Sequence, residues 1–190
     1  MSTAEPGPTT RDLILDAAEA LFAAQGYQAT TIKQVSEKVG VQGPALYKHF
    51  TNKRALFEEV LERLFAPFMA LLTPSVKRGG GQADIVQQHL ANPNAARIVQ
   101  HATLSGGEDL ALLVERWYRP FFAETRALLV DETTGVTATS VMAFHSMLLG
   151  YLTLAPLHEA IFDADPLGKT AVSELLDLQL RMAQLTSVNS

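Results

Sequence analysis

The 190 residues contain no cysteine, which excludes disulfides and thiolate metal sites outright. Long hydrophobic runs are missing too. At 47% hydrophobic residues the chain has a globular composition, yet no apolar stretch reaches the ~20 residues of a membrane-spanning helix. The opening MSTAEPGPTT has neither a charged n-region nor an apolar h-region, so no secretory signal is read there and a cytoplasmic location is expected. No segment alternates like a strand between turn signals, and there is no internal repeat. An excess of basic residues is also lacking: the formal net charge of −5 argues against a protein coated for nucleic acid along its whole surface. The deficit is uneven, however. Between Thr31 and Arg54 stand five basic residues and one acidic, a local charge of +4.

What the sequence does have is helical periodicity. Leu13, Ile14, Ala17, Ala18, Leu21 and Phe22 recur at helical spacing over Arg11 to Gln25, and Gly26 closes the run. Thr30 or Thr31 caps a short helix carrying Ile32, Val35 and Val39, which Gly40 ends. Pro44 suits a first helical turn, so Gly43 to Phe50 reads as a third, very short helix, and Thr51-Asn52 caps the next. A long helix follows from Lys53 to about Leu72, with Pro67 expected to kink or end it. Thr73 to Gly81 reads as a loop, and Asp84 to Leu90 and Pro93 to Leu104 as shorter helices. After Gly106-Gly107, three long helices are expected at Glu108 to Val130, Val136 to Leu154 and Gly168 to Leu185, with Ala155 to Pro166 as a connection. The fold class predicted is all-α, about nine helices in total: a flexible arm (1–10), a three-helix head with a helix-turn-helix (11–52), and a helix bundle (53–190) joined to it by the helix that starts at 53.

The two short helices separated by Gly40-Val41 have helix-turn-helix dimensions. In VQGPALYKHF, residues 41–50, Leu46 and Phe50 can bury on one side while Ala45, Lys48 and His49 point elsewhere. The positive island coincides with this motif, and phosphate neutralisation by Lys and Arg is the main source of DNA affinity. Residues 26–64 resemble the DNA-binding head of the tetracycline-repressor (TetR) family of bacterial regulators. The resemblance is carried by Gly26-Tyr27, Thr30-Thr31, Val39-Gly40-Val41, Leu46 to Phe50, and Lys53 with Leu56. It covers about the first third of the chain and beyond that extends only to layout. It implies a transcriptional regulator, expected to be a repressor, that binds operator DNA as a homodimer and answers to a small molecule.

The DNA-binding residues expected are Thr31, Gln42, Gly43, Pro44, Ala45, Tyr47, Lys48, His49 and Lys53. Gln42 can pair with adenine and the Ala45 methyl can touch a thymine methyl. Tyr47 and His49 suit phosphate oxygens, and Lys48 suits guanine or phosphate. By resemblance, Thr31 and Lys53 hold the DNA backbone. Family members often carry Ser, Arg, Gly or Thr at positions 42–45, so base readout here is expected to lean on DNA shape and Lys48. The arm before Arg11 holds no basic residue, and no important arm contact is expected.

In the bundle, His101, Trp117, Phe121, Phe144, His145 and Tyr151 are the expected ligand-binding residues. Polar-tipped rings among apolar helices suit a neutral apolar or aromatic effector. The apolar excess of the last two long helices points to a dimer interface through Met147, Leu148, Leu152, Leu176 and Leu180. No cofactor, metal or catalytic set is expected. Gly168-Lys169-Thr170 lacks the first glycine of a phosphate loop, and the histidines have no i, i+4 pair. A helical enzyme, or an adaptor without DNA binding, is the competing reading.

Overall fold

The computed structural model describes residues 7–71, 82–129 and 137–187, and those residues are helical with turns between. The elements are α1 (Thr10–Ala29), α2 (Ile32–Val39), α3 (Gly43–Tyr47), α4 (Lys53–Leu71), α5 (Gln82–Ala91), α6 (Asn94–Ser105), α7 (Gly107–Leu113), a π-helical turn (Val114–Tyr118), α8 (Arg119–Leu129), α9 (Ala138–Thr153), α10 (Ala155–Phe162) and α11 (Lys169–Ser187). The start of the arm and the whole of the expected loop at Thr73 to Gly81 lie outside the described residues.

Local chemistry sets the first four helices. Thr9 caps α1 through a reciprocal box with Asp12, and Thr31 caps α2 through one with Gln34. Of the two candidate caps, Thr30 is instead buried, its hydroxyl donating to the Gly26 carbonyl at 2.8 Å. Gly26 breaks the helical path of α1 at φ 79°, ψ 168°. Gly40 ends α2 in the left-handed conformation. Pro44 lies in the first turn of α3, which stops at Tyr47 rather than Phe50. The Asn52 side chain accepts from the Ala55 amide at 2.8 Å and starts α4.

A single core joins the head to the first part of the body. Ile14, Ala18 and Phe22 of α1 pack with Leu46, Phe50 and a stripe of α4 (Leu56, Phe57, Val60, Leu61, Leu64). The same core continues into Ala95, Ile98 and Ala102 of α6, and then Leu113 and Trp117. Burying each of the larger side chains contributes about 1.5–3 kcal/mol. Buried Glu19 on α1 pins three elements together: it accepts from Asn92 and Asn94, each at 2.9 Å, and from Arg63 of α4. Burial works against ionising this carboxyl, but those donors outweigh it and hold Glu19 below the usual carboxylate range. A second core brings Val86 of α5 and Ala96 of α6 against Leu148 and Leu152 of α9 and Leu175 of α11.

Three expectations change. Helix α1 kinks at Gly26 and runs on to Ala29 rather than closing at Gly26, whereas α4 spans Lys53–Leu71 much as expected, with Pro67 inside it. The helix expected from Glu108 to Val130 is divided by the π-turn at Val114–Tyr118. Pro120 accounts for that division: it has no N–H to offer the Arg116 carbonyl four residues back, and its ring crowds that carbonyl, so a widened turn takes up the mismatch. The connection from Ala155 to Pro166 contains a helix, α10, with Pro156 in its first turn.

No single helix among the described residues is long and apolar enough to cross a membrane, and the apolar pair α9 and α10 is bent by 59°.

Candidate nucleic-acid interface and effector cavity

The helix-turn-helix is built so that a few buried residues present many exposed ones. Leu46 and Phe50 are 0% and 2% exposed and anchor α3 on the head, while Val41 is half-buried. Around them Gln42, Pro44, Tyr47, Lys48 and His49 are exposed, and Gly43 and Ala45 partly so. Gln42 is the N-cap residue of α3, yet its side chain makes no capping hydrogen bond and stays available. Thr31 is exposed at the start of α2, although its hydroxyl already serves the Gln34 amide.

The basic residues of the island differ in availability. Lys33 pairs with Glu37 at 3.7 Å and Arg54 with Glu58 at 3.0 Å. Lys53 is only partly exposed. Its ammonium donates to the Tyr27 carbonyl at 2.9 Å and the Thr30 carbonyl at 3.0 Å, and lies 4.1 Å from the Tyr27 ring centroid. Two of its three N–H groups are thus committed to holding the end of α1 against the start of α4. Lys38 and Lys48 have no ion pair among the described residues.

Between the two cores lies a cavity. Its walls are Phe65, Phe68 and Met69 at the end of α4; His89 of α5; Ala95, Ala96 and Val99 of α6; Trp117 and Tyr118 on the π-turn; Phe121 of α8; and His145 and Leu149 of α9. The free space inside is small, about 30 Å³. Aromatic contacts knit the walls together. Phe65 stacks on Trp117 at 5.9 Å, His89 meets Phe68 edge-on at 4.3 Å, and His145 meets Tyr118 and Phe122 edge-on, each at 5.4 Å. Burial lowers the pKa of both histidines. For His145 it falls to about 4, with His89 as a secondary cause, so both rings are neutral near pH 7. Burial likewise raises Tyr118 well above the usual tyrosine range.

Of the expected ligand residues, Trp117, Phe121 and His145 line this cavity, and His101, Phe144 and Tyr151 do not. His101 packs at the kink of α1, where a Cβ on Gly26 would lie 3.3 Å from its side chain. Phe144 belongs to the second core, and the Tyr151 hydroxyl donates to the Pro166 carbonyl at 2.6 Å. Phe65, Phe68, Met69, His89, Tyr118 and Leu149 were missed as wall residues. Helical periodicity marks them all as inward-facing, but only the packing of α4 against α5, α6 and the π-turn separates a cavity wall from a filled core.

Two of the residues expected between copies are also relocated. Leu148 and Leu152 are fully buried within one chain, in the second core, so they have no surface to offer a partner. Met147 and Leu176 are half-buried, and the side chain of Leu180 lies outside the described residues.

Comparison with known proteins agrees with this geometry where it is most specific. Residues 14–60 match the N-terminal domain of the bacterial regulatory proteins of the tetR family. Over those residues the chain is similar to the DNA-binding head of that family. It is 42% identical over 69 residues to the HTH-type transcriptional repressor ComR of Escherichia coli, covering 36% of this chain and 33% of that protein. It is 34% identical over 62 residues to the negative transcriptional regulator IcaR of the biofilm operon icaADBC in Staphylococcus epidermidis, covering 33% and 34%. The chain thus spans about a third of the length of these curated relatives. Along nearly its whole length it shares the fold of the fatty acid degradation regulator FadR from Bacillus halodurans: TM-score 0.63, 18% identity, 93% of this chain and 97% of that one.

Proposed function

We propose that the protein is a ligand-responsive transcriptional regulator, a repressor that binds operator DNA as a homodimer and is released by a small, neutral, apolar effector. The observation that carries the DNA-binding part is α3. Its two apolar anchors are buried while Gln42, Pro44, Tyr47, Lys48 and His49 stand exposed in the positively charged stretch of an otherwise acidic chain. Lys48 then makes the main charged contact, and Gln42, Gly43, Pro44 and Ala45 face base edges. Thr31 and Lys53 act at the rim, Lys53 through its one uncommitted N–H. Nothing among the described residues favours an enzyme, and the relatives above are named regulators.

The effector part rests on α4. Its first residue, Lys53, clamps the segment just before α2, and Phe65, Phe68 and Met69 near its other end line the cavity. Nineteen residues of helix span about 28 Å, so one rigid element reaches from head to cavity. From the π-turn, Arg116 pairs with Glu62 at 2.9 Å and Glu58 at 4.0 Å, both on α4. The cavity is far smaller than the roughly 300–1,000 Å³ typical of ligand sites. An effector therefore selects a conformation in which α4 and the π-turn part, and that movement resets the spacing of the two α3 helices. A difference of about 1.4 kcal/mol in effector affinity between the two states shifts DNA binding tenfold.

The test is a mobility-shift and salt-titration series on the DNA flanking the protein's own gene. Wild type should bind, and Lys48→Ala should bind more weakly with a salt slope reduced by about one unit per lost phosphate contact. Tight, salt-independent binding by Lys48→Ala would show that α3 is not the DNA-contacting element.

A further inference from the structure

Trp117 is 7% exposed and lines the cavity, and its indole Nε1–H has no hydrogen-bond acceptor among the described residues. A buried donor left unmet costs roughly 1–3 kcal/mol, and native proteins rarely keep one without a use. The other two buried orphans, on Asp109 and Thr125, are not on the cavity wall. Trp117 also sits on the π-turn, a feature that often marks functional sites. Among the described residues the walls carry no Lys, Arg, Asp or Glu, and their two histidines are neutral, so a charged ligand would find no counter-charge there. His89 Nδ1 lies 2.8 Å from the Ile85 carbonyl, which places its proton there and leaves Nε2 as an acceptor.

We propose that this cavity takes an uncharged, mainly apolar molecule bearing one accepting oxygen, such as a ketone, ester or ether, and that the Trp117 N–H is the donor that selects it. The cavity's free space of about 30 Å³ admits such a molecule only in the opened conformation put forward above, so the inference rests on that reading for the opening and for the claim that such a molecule controls DNA binding. The recognition itself rests on the cavity. The accepting oxygen satisfies the orphan donor, while the rest of the molecule packs among Phe65, Phe68 and Phe121.

Trp117 is the only tryptophan, so ¹⁵N-labelled protein gives one indole N–H resonance. The probes are acetophenone and α-methylstyrene, which share a shape but differ in C=O against C=CH₂. Acetophenone should move the indole proton downfield and slow its exchange with solvent, and α-methylstyrene should do neither. In Trp117→Phe the ratio of affinities, ketone over hydrocarbon, should fall roughly tenfold. If that variant does not fold, the wild-type titration alone decides. The proposal is overturned if acetophenone does not bind at millimolar concentration, or binds with the indole resonance unmoved, or if the variant keeps the wild-type ratio. Acetophenone that shifts the indole signal but leaves operator affinity unchanged upholds this recognition and counts against the regulatory reading. Release of DNA with the indole signal unmoved does the reverse.

Discussion

Single side chains decide the character of the cavity, and His145 makes that measurable. It lies among Tyr118, Phe122 and His89 with no described carboxylate beside it, and burial brings its pKa from 6.5 to about 4. Between those values the unfolded chain takes a proton that the folded chain refuses. This stability is complete above pH 6.5 and is lost as the pH falls toward 4, with a slope of at most about 1.4 kcal/mol per pH unit. His89 shifts in the same direction. Glu19, held below the carboxylate range, loses its contribution only at lower pH, below about its reference value of 4.5. Urea unfolding at pH 6.5 and pH 5 should therefore show a clear loss in wild type and a smaller one in His145→Gln. An equal loss in both would mean that His145 is not buried as a neutral ring. The sequence named Trp117, Phe121 and His145 as ligand residues because their polar-tipped or aromatic rings lie on inward faces. It could not tell them from His101, Phe144 and Tyr151, whose faces are equally apolar but abut the α1 kink or the second core.

At the level of elements, the glycines show how much was readable. Gly40 ends α2 in an ordinary left-handed cap with open space where a Cβ would go. Gly26 differs. Its φ of 79° and ψ of 168° lie in a region essentially restricted to glycine, and a Cβ there would press on His101 of α6 at 3.3 Å. Gly26→Ala is expected to destabilise the protein by about 2–3 kcal/mol and Gly40→Ala by about 1–2, an order checked by the two urea midpoints. The reverse order would mean that the α1 kink does not constrain the junction between α1 and α6. Gly40 was legible as a helix stop and Gly26 as a break, although α1 resumes after Gly26 to Ala29, and the contact that makes Gly26 the more demanding position joins residues 75 apart. Pro120 was likewise visible in the sequence. That it widens one turn rather than ending a helix is visible only in the fold, where Trp117 and Tyr118 on that turn both pack against the first core.

For the whole molecule, the proposed homodimer needs a surface through which two copies meet. With Leu148 and Leu152 consumed inside one chain, the exposed large apolar residues on α9 and α11 among the described residues are Met142, 56% exposed, and Leu178, 45% exposed. A homodimer built on these helices predicts that Met142→Asp or Leu178→Glu sediments at the monomer mass of 20.6 kDa while keeping its helical circular dichroism. Wild type should sediment at twice that mass at micromolar concentration. A wild-type monomer that still binds operator DNA would remove the dimer from the reading. Next to α9, the short α10 exposes Leu157, Ile161 and Phe162, a stretch where the sequence indicated only a connection.

The sequence by itself determined the helical class, the caps of α2 and α4, the stop of α2 at Gly40, the inward anchors Leu46 and Phe50, and the charge that singles out α3. These follow from local chemistry: capping hydrogen bonds, permitted backbone angles, and spacing along a single helix. Only the tertiary structure decided that α1, α4 and α6 share one core, that Lys53 spends most of its donors holding the end of α1, and that the cavity lies between α4, α5, the π-turn and α9. Each of these depends on which helix faces meet across distant parts of the chain. Helical periodicity identifies an apolar face, but the identity of its partner is set only when whole helices pack.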